Sequence, residues 1–142
     1  MRKSTRQLTQ STRHTLVFIA DDDLEDCEML EEALQKVDAT VQTRVFTDGR
    51  QMLTHLQNAS DQDLPKYLIL DYNMPHLTGC QVLHEIAGEP RYNGITKYIL
   101  STSSSPQYMS ECRENGANAY FVKPNTIQEL TALASRMLAP NA

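Results

Sequence analysis

Two apolar runs in this 142-residue chain end in carboxylates. The segment TLVFIADDD, from Thr15, closes on Asp21, Asp22 and Asp23, and YLILDYNMPHLTG, from Tyr67, places Asp71 directly after YLIL. A third run, TKYIL at 96–100, is followed by Ser101 and Thr102, and a fourth, NAYFV at 118–122, by Lys123. Clustered carboxylates repel one another unless a counter-charge joins them. A hard divalent cation would do so, and Mg²⁺ characteristically takes one or two carboxylates and keeps several waters. Open metal positions leave room for a phosphoryl group. An ammonium such as that of Lys123 donates to phosphoryl oxygens, and a carboxylate can itself be the accepting nucleophile. The chemistry these residue types support is Mg²⁺-assisted phosphoryl transfer onto an aspartate.

Positioning these groups together falls to the elements that carry them. Five runs predict strands: 15–20, 41–46, 66–70, 96–100 and 118–122. Four are nearly unbroken, as parallel strands covered on both faces should be, whereas VQTRVF at 41–46 alternates and belongs at a sheet edge. Between them lie segments of helical period. Cys27, Leu30, Leu34 and Val37 share one face, with Asp23 as cap; Met52, Leu53 and Leu56 follow TDG; Val82, Leu83 and Ile86 follow Gly79. Met109 and Cys112 lead to Gly116, a candidate left-handed C-cap, and Ile127, Leu130, Leu133, Ala134 and Met137 follow Asn125 or Thr126 as cap. The pattern βαβαβαβαβα calls for an α/β fold, a parallel sheet with right-handed crossovers and helices on both faces. In such doubly wound folds the site lies at the carboxyl ends of the strands, where the polar groups above stand.

Composition bounds the partners. Residues 1–14 hold Arg2, Lys3, Arg6 and Arg13 and no acid, and the remainder carries nine basic and 18 acidic residues. The head predicts a disordered basic tail, 1–14, and the acidic body argues against a nucleic-acid surface. No apolar stretch nears the roughly 20 residues that span a bilayer, and LVFIA is too short for a signal segment, so no membrane partner and a cytoplasmic location are expected. One domain is expected over 15–139, followed by a short tail, 140–142, with no second domain. Cys27, Cys80 and Cys112 lack metal-ligand pairing and predict reduced, partly buried thiols. His14, His55, His76 and His84 share no ligand spacing and are expected to be exposed. The segments NASDQDLP and PRYNG predict polar surface loops.

The motifs IADDD, LDYNMPHLTG, LSTSS and YFVKP, each at a strand end and in this order, resemble the signature of bacterial response-regulator receiver domains from about Thr15 to Leu138. The resemblance implies a flavodoxin-like doubly wound (βα)5 fold with strand order 2-1-3-4-5. It implies Asp71 as phosphoacceptor, Asp22 as a direct Mg²⁺ ligand, Asp21 as holder of the metal's waters, and a metal contact from the Asn73 backbone carbonyl. Ser101 would bond the phosphoryl oxygen, Lys123 would pair with it, and Tyr120 would turn inward as the Ser101 hydroxyl moves. Thr102 is a rival for Ser101, but only Ser101 has the family's spacing to Gly116 and Lys123. Gly79 would let the third helix pass close to the acceptor loop. The Lys123–Pro124 peptide would be cis, as it commonly is in the family. Asp23 is read as a helix cap rather than a metal ligand, and Leu24 stands where relatives often carry proline.

An aspartate at a strand end is, taken alone, as readily a cap or turn former, and lysines are usually surface charges. Asp22 and Lys123 in register tip the balance. The implied function is that of a single-domain response regulator, not an enzyme acting on a separate substrate. It would accept phosphate from a sensor histidine kinase and signal by contact with an output protein or by homodimerisation. The segments LQNASDQDLPKY and GEPRYNGITKY resemble a stand-alone subgroup whose kinases are often hybrid or phytochrome-type. A phosphohydrolase would need an acid two residues past Asp71, where Asn73 stands. A flavin-nucleotide binder would need a Ser/Thr-rich loop where DDD stands.

Overall fold

The apolar runs form five strands in the computed structural model, which describes residues 14–139: β1 Thr15–Ala20, β2 Val41–Phe46, β3 Tyr67–Leu70, β4 Thr96–Ser101 and β5 Ala119–Val122. They pair in parallel in the order β2-β1-β3-β4-β5. Five helices connect or follow them: α1 Leu24–Val37, α2 Gly49–Asn58, α3 Gly79–Ile86, α4 Pro106–Glu114 and α5 Ile127–Met137. The expected architecture and strand order are both present. Most of the expected basic tail, residues 1–13, and the expected tail 140–142 lie outside the described residues.

Burial explains the composition of each strand. All four residues of β3 are buried, because helices cover both faces of the sheet at its centre. On one face α1 and α5 set Cys27, Leu30, Leu34, Leu130, Leu133 and Met137 against Val17, Ile19, Ile69 and Leu100. On the other, α2, α3 and α4 bring Met52, Leu56, Val82, Leu83 and Cys112 onto Phe18, Leu68, Leu70 and Ile99. The edge strand β2 is covered less, and its residues alternate accordingly.

Among the described residues, each of α1 to α5 starts on a side-chain cap. Asp23, Asp48, Thr78, Ser105 and Thr126 each accept a hydrogen bond from the backbone N–H three residues on. Such caps are worth about 1 kcal/mol each, and Thr78 with Gln81 completes a reciprocal capping box. Gly116 has φ 104°, the left-handed conformation expected where α4 ends.

Several expectations need correction. His55 is half-buried, its ring 5.4 Å from that of Phe18 and 5.3 Å from that of Phe46, because α2 turns that side of its inner face onto the β1–β2 edge. The three thiols are fully rather than partly buried. PRYNG is more than a loop: Pro90–Tyr92 forms a single 3₁₀ turn with Tyr92 buried, and the Arg91 guanidinium donates to Asp61 and to the Leu56 and Ala59 carbonyls. No peptide among the described residues is cis, so Lys123–Pro124 is trans. That isomer is intrinsically favoured by about 0.5–1 kcal/mol before proline, and Lys123 reaches its partners from it.

Candidate functional site

Strand order brings the acidic ends together. Ala20 of β1 pairs with Leu70 of β3, so the residues that follow, Asp21 and Asp71, emerge side by side. Their backbones are still in the ladder: Asp21 N–H donates to the Phe46 carbonyl at 3.0 Å and Asp71 N–H to the Ala20 carbonyl at 2.9 Å. From the other end of the sheet, Lys123 follows β5 and its N–H donates to the Ser101 carbonyl at 2.8 Å. Strand pairing alone thus delivers residues about a hundred positions apart to one rim.

Asp21, Asp22 and Asp71 each offer a carboxylate oxygen, and these lie within 4.8 Å of one another. Asp21 and Asp71 are buried, whereas Asp22 is exposed. Burial pushes the Asp21 carboxyl up from 3.8 to about 6, with repulsion from Asp71 adding to the effect and Lys123 opposing it. A cluster of hard oxygen donors that resists holding its own charge fits a divalent cation such as Mg²⁺. Asn73 is exposed at the same rim, two residues past Asp71.

The Lys123 ammonium is the cation that these acids share. Its Nζ donates to Asp21 Oδ2 at 2.7 Å, to Asp26 Oδ2 at 2.8 Å and to Asp71 Oδ2 at 3.3 Å. Burial works against the charge, but the carboxylate partners outweigh it and hold the ammonium above the ordinary lysine range. In the sequence Asp26 counts merely as one acid in the first turn of α1. Its spacing was the available signal: the first helical turn after a strand leans over that strand's end.

Ser101 is fully buried and Thr102 is exposed, so strand alternation turns the Ser101 side chain into the molecule. The Ser101 hydroxyl accepts from Ser103 N–H, the Ser103 hydroxyl from Ser105 N–H, and Ser105 caps α4. Tyr120 is half-buried, packs its ring against the face that holds α2 to α4, and donates its hydroxyl to the Ser103 carbonyl at 2.7 Å. Asp23 accepts from Asp26 N–H as a cap and takes no part in the Lys123 cluster.

Gly79 opens α3 against the loop that follows β3. Its N–H donates to the Tyr72 carbonyl at 3.0 Å, and a Cβ there would collide with the Asp71 carbonyl oxygen. The next contact has no signature in the sequence. The Tyr72 ring stacks on that of Tyr108 of α4 and its hydroxyl donates to Glu111 at 2.9 Å.

The parallel α/β sheet thus gathers acids from two neighbouring strand ends and a lysine from a third. The family model described as the response regulator receiver domain matches residues 17–135, and the chain belongs to that family. It is 31% identical over 145 residues to the two-component response regulator ARR8 of Arabidopsis thaliana, covering 92% of this chain and 63% of that protein. The chain thus spans less than two thirds of that relative's length. Among solved structures it resembles the phosphorylated cyanobacterial phytochrome response regulator RcpA, with TM-score 0.78, 25% identity, and coverage of 87% of this chain and 91% of that one. It also resembles response regulator RPA3017 in red light signaling of R. palustris, with TM-score 0.77, 26% identity, and coverage of 89% and 95%. Among the described residues no helix is long and apolar enough to cross a membrane.

Proposed function

We propose that Asp71 accepts a phosphoryl group from the phosphohistidine of a sensor histidine kinase, and that the chain signals through the surface this changes. The observation that carries this reading is the convergence of Asp21, Asp26 and Asp71 on one ammonium beside the exposed Asp22. In the transfer, an Asp71 carboxylate oxygen forms the new bond to phosphorus. The P–N bond breaks, and the electron pair leaves with the imidazole. Bound Mg²⁺ would neutralise charge on the transferring oxygens, with Asp22, Asp71 and the Asn73 carbonyl as its direct ligands and Asp21 holding its waters. Lys123 donates to a phosphoryl oxygen, and the buried Ser101 hydroxyl donates to another.

Output follows from the contacts of the loop after β4. A Ser101 hydroxyl drawn to the phosphoryl group gives up Ser103 N–H, and the Tyr120 hydroxyl, bonded to the Ser103 carbonyl, moves with that loop. The face formed by α4 and β5 changes, biasing an equilibrium between two conformers. An output protein or a second copy binds there. The kinase is of the hybrid or phytochrome type, and the likeness to a phytochrome response regulator and to a regulator in red light signaling supports the second of these.

Incubation with Mg²⁺ and acetyl phosphate tests the acceptor. An acid-stable, base-labile adduct is expected on the wild type and none on Asp71→Asn; an adduct on Asp71→Asn overturns the assignment. Asp22→Asn is expected to weaken Mg²⁺ binding far more than Asp23→Asn, and equal losses would remove Asp22 from the ligand set.

A further inference from the structure

An ammonium has three N–H donors, and three carboxylates surround that of Lys123. A phosphoryl oxygen on Asp71 therefore engages Lys123 only by displacing one of them. The three are not equally free to leave. The Asp21 side chain is 9% exposed, and its other oxygen accepts from Asp23 N–H at 2.9 Å, which fixes its orientation. Asp71 is the acceptor itself. The Asp26 side chain is 36% exposed, so it can rotate into water and be solvated there. It nonetheless lies closer to Lys123 than Asp71 does, at 2.8 against 3.3 Å.

We propose that Asp26 is a positioning residue for phosphoryl transfer, one that holds the Lys123 ammonium back from Asp71 and competes with the phosphoryl group for it. This rests on the reading of Asp71 as acceptor. The backbone geometry favours such a role over incidental contact. Asp23 accepts from Asp26 N–H at 3.2 Å, fixing the first turn of α1 so that the Asp26 carboxylate faces the rim. Charge acts in the same direction as hydrogen bonding, because an ionised Asp26 repels an arriving anion. The device sets how readily Lys123 is released, and through that how tightly the domain holds a phosphoryl group.

Beryllofluoride in the presence of Mg²⁺ is the probe, titrated against the wild type, Asp26→Asn, Asp26→Glu and Glu25→Gln. Glu25 is exposed on the same helical turn and controls for the loss of one nearby charge. Asp26→Asn is expected to tighten binding about threefold to tenfold, the span of one net hydrogen bond. Glu25→Gln should change it less than twofold, by screening of an exposed charge, and Asp26→Glu should stay near the wild type. In the metal-free protein the ¹⁵N resonance of the Lys123 ammonium should shift in Asp26→Asn and not in Glu25→Gln. Binding by Asp26→Asn no tighter than by Glu25→Gln, or an unmoved Lys123 resonance, overturns the proposal and leaves Asp71 as acceptor intact. A wild type that binds no beryllofluoride overturns both.

Discussion

The rings of Tyr72 and Tyr108 stack with centroids 3.9 Å apart and planes 8° from parallel, joining the residue after Asp71 to the first turn of α4. Tyr72 is buried, and its hydroxyl finds Glu111 one turn further along the same helix. Burial, with the bond to Glu111, pushes the Tyr72 phenol above its ordinary range, so it remains a donor throughout the physiological pH range. Tyr72→Phe is expected to cost about 1 kcal/mol, the net worth of one hydrogen bond, and Tyr108→Ala about 1–3 kcal/mol once the stack and its area are lost. Urea unfolding of the two variants checks both figures.

Gly79 tolerates no side chain. A Cβ would overlap the Asp71 carbonyl and lie 3.1 Å from Ile99 Cδ1, both in well-packed surroundings. Gly79→Ala should destabilise by about 1–3 kcal/mol, the usual cost of overpacking. Because the displaced atom belongs to Asp71, phosphorylation by acetyl phosphate should slow as well. A variant that is destabilised yet phosphorylated at the wild-type rate would show that the acceptor loop had not moved.

Removing Lys123 leaves the acids without their shared cation. Lys123→Met should cost about 3–5 kcal/mol at pH 7 in EDTA, the penalty for breaking a buried ion pair from one side. Mg²⁺ should restore part of that loss, since it supplies the missing positive charge. Thermal unfolding with and without Mg²⁺ measures the rescue, which should exceed the stabilisation of the wild type by the same Mg²⁺ concentration.

The pH dependence of the metal-free protein should carry the mark of Asp21. Its native pKa, about 6, lies above the ordinary 3.8, so the native state binds the proton more tightly than the unfolded chain does. The stability it contributes is full below the lower value and is lost as pH rises through the higher one. At about 1.4 kcal/mol per pKa unit the loss is at most about 3 kcal/mol. Asp21→Asn cannot titrate, so in EDTA the wild type should lose stability relative to this variant between pH 4.5 and 7. Parallel pH profiles from urea titrations would refute the assignment.

The centre of the sheet was legible in the sequence because β1, β3 and β4 are buried on both faces. YLIL is apolar throughout for that reason, and β3 differs from its expected span by the single residue Lys66, whose backbone still bonds to Leu16. Asp21, Asp22, Asp71, Ser101 and Lys123 could be read from their places at strand ends, since a parallel sheet aligns those ends. Asp26 and the Tyr72–Tyr108–Glu111 contact could not. Their partners lie across helices whose rotation depends on packing rather than on local pattern, and an acid in a first helical turn has an ordinary explanation of its own. His55 is half-buried rather than exposed for a related reason. A ring on the shoulder of an amphipathic stripe is buried or exposed according to the width of the neighbouring sheet.

The span between Asp21 and Lys123, 102 positions, has a consequence for synthesis. The acids leave the ribosome first, and their cation leaves only with the last strand. Until Tyr120 to Val122 have paired with Ile99 to Ser101, the rim is a cluster of carboxylates without the lysine that bridges them. A nascent or truncated chain can thus build most of its sheet and still lack the rim as a working unit. On the proposed function, competence to receive a phosphoryl group certifies that the fold has been completed to its final strand.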